Sequence, residues 1–416
     1  MKNVYVIGVG MTRFGKYLDR NMKSLSTEAV DAALKHCDLE RKDIQVATVG
    51  NAYQGLVTGQ ESIRGQVVLR SMGIGDIPVT NVENACASSS TALQILWMDI
   101  ALGLHDVGLA LGMEKMFMED RQKRLGLFSS SMDVEVMEQV MKFMKNAAKK
   151  EGKGGDDEKG EDGKPPKKKR SAFMDVYAVG ARMWMDQFGL EQRHFAMVAS
   201  KNHTNGSLNP YAQYQTPMTV EEVMAAPEVA FPLTRPMCSP IGDGAAAAIL
   251  CSEDFLKRVG PPKPVKFKSI VLGSGVDRAL DEPDLGVRLS KKAYEAAGVG
   301  PEDIDVCEVH DASAWSEIRA YEDMKFCGEG EGGKFIEEGH SQITGKLPVN
   351  PSGGLEAKGH PVGATGVAML SEIVWQLRGE AGKRQVDNPR MGMCENGGGN
   401  IGVEEASMVI SILEKA

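Results

Sequence analysis

The sequence predicts an α/β fold made of two pseudo-repeated, layered halves separated by a long insertion. Three observations carry this. "YVIGVGMTRF" at 5–14 is answered by "SIVLGSGVDR" at 269–278, with Gly8, Gly10 and Arg13 matching Gly273, Gly275 and Arg278. Leu25-Ser26, Ala29, Ala32 and Ala33 are then matched at identical spacing by Leu289-Ser290, Ala293, Ala296 and Ala297, and "KDIQVATVGNAYQ" by "EDIDVCEVHDASA". Composition agrees: 47 glycines, 6% aromatic and 42% apolar residues in 416 suit tight strand–helix turns and more than one core.

Taken in order, the apolar run from Val4 reads as a buried first strand ending in a glycine turn, and the Leu25 to Ala33 spacing as a helix against it. Val79 and Val82, with alternating polar residues, predict a third buried strand. Ala92, Leu93, Leu96, Ile100 and Leu104 predict a helix beginning at Cys86. With strands and helices alternating, each half is expected to form a mostly parallel sheet with right-handed crossovers. Residues 119–238 have no counterpart in the second half and read as an insertion. Within it, 145–170 is glycine, proline and mixed charge that cannot bury a core, so a solvated mobile loop is expected. Its Lys167, Lys168, Lys169 and Arg170 read as solvated surface. The expected domains are 1–118 completed by 239–262, the insertion 119–238, and 263–416.

A net charge of −9 argues against a nucleic-acid binder. Seven cysteines, at 37, 86, 238, 251, 307, 327 and 394, form no C-x-x-C pair, so neither a disulfide framework nor a zinc cluster is implied. The apolar start is too short for a signal peptide and no run reaches membrane-spanning length, so a cytoplasmic protein is expected. The Gly-x-Gly segments lack the third glycine of a dinucleotide fingerprint, Arg13 and Arg278 standing there instead.

Four separated stretches have the grammar of active-site loops: "NACASSS" with Cys86, "EVHDAS" with His310, "NPSGGLEAKGHPVGATG" with His360, and "GMCENGGGN" with Cys394. A helix N-terminus stabilises a thiolate, so the Cys86 pKa is expected to fall from about 8.5 toward neutrality. His310 ends a strand, where open α/β sheets place ligands, and its counterpart in the first half is Gly50. His360 opens the helix corresponding to the one begun at Cys86, so two facing helix ends can pair a thiol with a base and make a nucleophile for an acyl carbonyl. Cys394 offers a second thiol beside a glycine run whose N–H groups suit an oxyanion hole.

Together these stretches, with "CSPIGDGAAAAIL" at 238–250, resemble the thiolase superfamily along nearly the whole chain. The histidine opening "HDAS" is similar to the sterol-carrier-protein branch. A closer likeness is to bacterial thiolases that work with a small zinc-ribbon and OB-fold partner. The resemblance implies a layered α-β-α-β-α fold, with Cys86 carrying the acyl group, His360 activating it and Cys394 moving the proton at carbon. His310 and His360 are implied to hold one thioester oxygen, and N–H groups at Cys86 and near Asn396 the other. It further implies coenzyme A as cosubstrate, no metal, a homodimer, and thiolysis of a bulky β-ketoacyl-CoA such as 2-benzoylsuccinyl-CoA. Two positions depart from the pattern. Asn396 stands where the family places glycine, and Ser313 where relatives tend to carry an aromatic residue, which widens the expected acyl pocket unless Trp315 fills it. Competing readings are a condensing acetyl-CoA acetyltransferase, a retro-aldol lyase of the same fold and a non-catalytic scaffold; neither of the last two needs both thiols.

Overall fold

The computed structural model describes residues 2–120, 123, 126–136, 172–260, 263–279, 281–402 and 404–416. The charged stretch 145–170, with its basic cluster, lies outside the described residues. The first half runs β1 (Val4–Met11), α1 (Met22–His36), β2 (Val46–Gly50), β3 (Val79–Val82), α2 (Ser88–Ala101) and β4 (Val107–Lys115). The insertion contributes α3 (Ala172–Phe188), α4 (Gln192–Ser207) and a two-stranded sheet of β5 (Glu228–Ala230) and β6 (Leu233–Thr234). Then follow β7 (Asp243–Ser252), β8 (Val265–Ser274), α5 (Leu285–Ala297), β9 (Val306–Glu308) and α6 (Ala314–Asp323). The chain ends with α7 (Thr365–Arg378), β10 (Met391–Ile401) and β11 (Glu404–Lys415).

Nine strands form one sheet in the order β3-β2-β4-β7-β1-β8-β11-β10-β9. Read outward from the middle, β1-β7-β4-β2 is repeated by β8-β11-β10-β9, so the duplication legible in the sequence is a duplication of topology. Strand β1 joins the second half's β8 with Tyr5 opposite Lys266 and Val6 opposite Val265. The counterpart of β3 in the second half shrinks to one parallel bridge, Cys307 with Val349.

The layers follow from which faces are apolar. Leu25, Ala29 and Ala33 of α1 pack on Ile7, Leu109 and Ile249. Between the sheet halves lie α2 and α7, where Leu93, Leu96 and Ile100 join Val367, Leu370 and Ile373. Beyond the second half, Leu285, Leu289 and Ala293 of α5 share a core with Ile410, Ile412 and the insertion's Tyr177 and Phe195. The architecture is α-β-α-β-α. All fourteen residues of α7 are buried, so its polar groups need internal partners. Glu372 accordingly pairs with Arg384 at 2.9 Å, and Ser371 donates to the Val367 carbonyl at 2.8 Å.

Four expectations change. The sheet is parallel only at its flanks, among β3, β2 and β4 and between β10 and β9; every other pairing is antiparallel. The β10–β11 connection is too short for a crossover and forces an antiparallel pair. β3 is an edge strand with Thr80 and Asn81 exposed, so valine content alone did not report its burial. Leu104 lies beyond the end of α2 and is 67% exposed. Gly8 and Gly10 also sit inside β1 rather than in a turn. A Cβ on Gly8 would lie 2.3 Å from the Ala33 carbonyl oxygen, and one on Gly273 would lie 2.9 Å from Leu289. The repeated glycine thus lets each outer helix press against its strand.

Candidate active site

After β3 the chain turns sharply. Ala85 takes φ 47°, a left-handed conformation that costs a non-glycine residue about 1–2 kcal/mol. Local bonds hold the turn: the Asn84 N–H donates to Ser88 Oγ at 3.0 Å, Ser88 Oγ donates to the Ala85 carbonyl at 2.6 Å, and Asn84 Nδ2 reaches Thr91 Oγ1 at 3.0 Å. Cys86 lies in this turn, one residue ahead of the Ala87 cap of α2. Strand β10 passes close by, and only because Gly398 has no side chain; its Cβ would fall 2.3 Å from the Asn84 carbonyl oxygen.

Cys86 Sγ lies 3.2 Å from His360 Nε2. On the other side of the ring, Nδ1 is 2.7 Å from Thr365 Oγ1, whose own hydrogen goes to the Pro361 carbonyl at 3.1 Å. With that hydrogen committed, the Thr365 oxygen accepts from Nδ1–H, so Nε2 carries the lone pair facing the thiol. The expected drop in the Cys86 pKa is overturned. The residue is 2% exposed, and burial pushes the thiol up to about 12, outweighing the Gly399 N–H and its own N–H, which favour the thiolate. Burial, helped by His310 and Lys358, also holds the His360 imidazole well below its usual value. The resting pair is therefore neutral thiol and neutral imidazole.

His310 completes the cluster. One ligand-type atom each from Cys86, His310 and His360 lie within 4.8 Å of one another, and the two rings stand 5.2 Å apart edge to face. Among the described residues His310 Nε2 is buried with no partner, and desolvation lowers its pKa to about 4. Its backbone N–H donates to Glu395 Oε2 at 3.0 Å. This thiol and two imidazoles are also a donor set of the kind zinc uses, but the 3.2 Å contact already fits an S–H···N bond.

Behind the histidines lies a buried polar network that sequence reasoning missed. Asn202 Nδ2 on α4 faces Glu317 at 2.7 Å and Asp311 and Glu356 at 3.1 Å, while Lys201 pairs with Glu317 at 2.6 Å. Asp311 accepts from the Leu355 N–H at 2.7 Å, tying the His310 loop to the segment before His360. A second tie is Glu114, which accepts from Asn51 Nδ2 at 2.9 Å and from the Ala52 and Gly363 N–H groups at 3.0 Å. Burial pushes its carboxyl up to about 7. The available signal was Asn202 at helical spacing from Phe195, Val198 and Ala199 on α4, and an acidic residue at the end of an all-apolar strand.

The structure does not bring Cys394 into the cluster. On β10 it pairs with Ser411 and Glu308, and its thiol faces the central helix layer among Val409 and Leu413. Burial raises its pKa. Asn396 shares that face and spends its side chain on the start of α2, accepting from Ser90 Oγ at 2.8 Å. Its neighbourhood supplies the N–H expected there through Gly399, three residues on. Ser313 is 0% exposed and caps α6, accepting from the Ser316 N–H at 3.4 Å. Trp315 sits against Tyr177 and Trp184, with ring centroids 6.3 and 5.9 Å away. Cys86 belongs to a small buried cluster with Tyr53, Met116, Leu127 and Val362, against which Phe128 packs.

A duplicated five-layer fold with a thiol–imidazole pair at facing central helix ends defines an acyl-transfer class, and the comparisons place the chain within it. Residues 4–231 match the model for the thiolase N-terminal domain, and 285–413 that for a thiolase C-terminal domain-like unit. An acetyl-CoA acetyltransferase of Methanothermobacter thermautotrophicus is 39% identical over 97% of this chain and 98% of its own. The benzoylsuccinyl-CoA thiolase subunit BbsB of Thauera aromatica is 33% identical over 96% of this chain and 95% of its own. The solved Ltp2-ChsH2(DUF35) aldolase aligns with TM-score 0.74 at 23% identity, covering 99% of this chain and 98% of that one. The chain belongs to the thiolase family and is an acyl-CoA acyltransferase. Among the described residues, no helix is long and apolar enough to cross a membrane.

Proposed function

We propose that this acyltransferase cleaves a bulky β-ketoacyl-CoA by thiolysis through a thioester on Cys86. The favoured case is 2-benzoylsuccinyl-CoA with coenzyme A giving benzoyl-CoA and succinyl-CoA. The observation that carries the reading is the 3.2 Å contact of Cys86 Sγ with His360 Nε2, its tautomer set by Thr365. His360 takes the thiol proton as sulfur attacks the keto carbon, so no free thiolate is needed beforehand. The N–H groups of Cys86 and Gly399 hold the oxyanion formed there. His310 Nε2 and the newly protonated His360 hold the oxygen of the departing thioester enolate. Each such donor is worth on the order of 10²–10³ in rate. No metal takes part. The bulky acyl group is supported by the aromatic pair of the Cys86 cluster, Tyr53 with Phe128 packed on it at a centroid distance of 6.0 Å, and by the likeness to BbsB.

The same reading divides the chain into 1–118 with 239–262, 119–238, and 263–416. The pairing of β7 with both β1 and β4 supports the first of these units. It also makes the protein a cytoplasmic homodimer working with a small zinc-ribbon and OB-fold partner. The β3 edge, unpaired among the described residues, supports self-association, since such an edge is a template for pairing. One relative's name, a subunit, supports the partner. A second reading, a condensing acetyl-CoA acetyltransferase, is favoured by the 39% identical relative. A retro-aldol lyase or a scaffold has no use for the Cys86–His360 pair.

The test is mass spectrometry of the protein after exposure to benzoyl-CoA and acetyl-CoA, joined to kcat/KM for 2-benzoylsuccinyl-CoA and acetoacetyl-CoA. A benzoyl adduct on Cys86 and preference for the aromatic substrate are expected. Preference for acetoacetyl-CoA rejects the bulky substrate, and absence of any adduct rejects the thioester.

A further inference from the structure

Breaking the carbon–carbon bond leaves an enolate that must gain a proton at its α-carbon, and Cys394 does not belong to the group formed by Cys86, His310 and His360. Strand alternation says what faces it instead. Residues of β10 point alternately to the two sides of the sheet. Cys394 and Asn396 share the face of Val409 and Ser411, whereas Glu395 and Gly397 share the face of Met408 and Ile410. The second face is where His310 lies. A Cβ on Gly397 would stand 3.6 Å from His310 Nδ1, 3.7 Å from Glu395 Oε1 and 3.0 Å from Glu405 Cγ. With no side chain at Gly397, the imidazole and the carboxyl can close in on the same point of the strand.

We propose that Glu395 is the acid–base group at the substrate α-carbon. Its Oε2 is anchored by the His310 N–H at 3.0 Å, which fixes the carboxyl beside the ring that receives the thioester oxygen. Burial, with Glu405 and Asp284 nearby, raises the Glu395 pKa to about 8, against the pull of the His310 and Gly397 N–H groups. It therefore rests as a neutral acid with a proton to give.

The step balances. The Cys86 proton passes to His360 as sulfur bonds to the keto carbon. The bond between that carbon and the α-carbon breaks, its electron pair stays on the α-carbon as the enolate, and the Glu395 carboxyl protonates it. In the second half, coenzyme A gives its thiol proton to the Glu395 carboxylate while its sulfur displaces Cys86, which recovers its proton from His360. Both groups return to their starting states.

This inference rests on the acyl-thioester reading of Cys86, and the experiment separates the two. Exchange of α-hydrogens is followed in D₂O with acetyl-CoA and succinyl-CoA as probes, alongside alkylation of Cys86 by iodoacetamide. Glu395→Gln keeps an acceptor for the His310 N–H. It should cut exchange by about 100-fold or more, as for loss of a general acid–base group, with alkylation within about threefold of wild type. Cys394→Ser should leave exchange within about threefold. Undiminished exchange in Glu395→Gln, a large loss in Cys394→Ser, or equal losses of exchange and alkylation in Glu395→Gln each overturn the assignment. A wild-type protein that takes no acyl group on Cys86 sinks the thioester reading instead.

Discussion

Thr365 Oγ1 and His360 Nδ1 lie 2.7 Å apart, and because the threonine hydrogen is given to Pro361, the contact sets which ring nitrogen faces Cys86. Threonine is placed for this by its position as first residue of α7, where its hydroxyl can back-bond to a carbonyl four residues earlier. Thr365→Val keeps the shape and removes the acceptor. The ring is then free to place its proton on Nε2, the wrong side for a base. We expect kcat to fall by about 10²-fold with KM little changed, within the range for a misplaced general base. Thr365→Ser should recover most of the loss. Steady-state kinetics of the three proteins checks this.

The neutral resting state of the pair has its own signature. With the Cys86 thiol pushed up to about 12 and His360 held well below its usual value, no thiolate plateau exists near neutrality. Iodoacetamide alkylation should therefore rise by about tenfold per pH unit between roughly pH 6 and 10, since only the thiolate reacts. A plateau starting near pH 7 would mean a preformed ion pair. Cys86→Ala should abolish the acyl-enzyme and lower turnover by several orders of magnitude, as on the order of 10⁴–10⁶ for removed nucleophiles.

Glu356 makes the buried network measurable. Its Oε1 has no partner among the described residues, and it lies with Asp311 and Glu317 around Asn202. Burial and those two carboxylates raise its pKa well above the usual value. The folded protein thus holds a proton that the unfolded chain releases near pH 4–5, and stability falls as pH rises from there through the folded value. Glu356→Gln copies the protonated form without that penalty. Thermal melts should show the variant's Tm advantage over wild type growing from pH 5 to pH 8. A constant or shrinking difference would mean Glu356 is ionised in the fold.

Much of this was legible in the sequence, for identifiable reasons. Repeated spacings fixed the halves because a strand face and a helix face each repeat with their own period, and Cys86, His310 and His360 announced themselves by sitting in loops of small residues. What escaped depended on contacts between distant segments. Whether β3 is an edge is decided by its neighbours, not its valines. The two faces of β10 look alike as a string, so Cys394 and Glu395 could not be told apart until register with β11 placed one toward α7 and the other toward His310. The Cys86 pKa was misjudged because a helix end was visible in the sequence and burial was not.

Ser313 is expected from the sequence to widen the acyl pocket, but it is a fully buried helix cap, and the cluster that holds Cys86 is made by Tyr53, Met116, Leu127 and Val362 with Phe128 packed against it. Selectivity should then move with the rings and stability with the serine. Ser313→Ala removes the cap on α6 and should cost about 1 kcal/mol with no change in substrate preference. Ser313→Phe forces a ring into a filled site and should cost about 1–3 kcal/mol or more, lowering Tm without narrowing the acyl pocket. Phe128→Ala removes one face of the aromatic surroundings, whose ring contacts are worth roughly 0.5–1.5 kcal/mol each. The ratio of kcat/KM for 2-benzoylsuccinyl-CoA over acetoacetyl-CoA should fall by about 2- to 12-fold on that account. Measuring both substrates in all three variants decides it: a changed ratio in Ser313→Ala with none in Phe128→Ala would return the acyl pocket to Ser313.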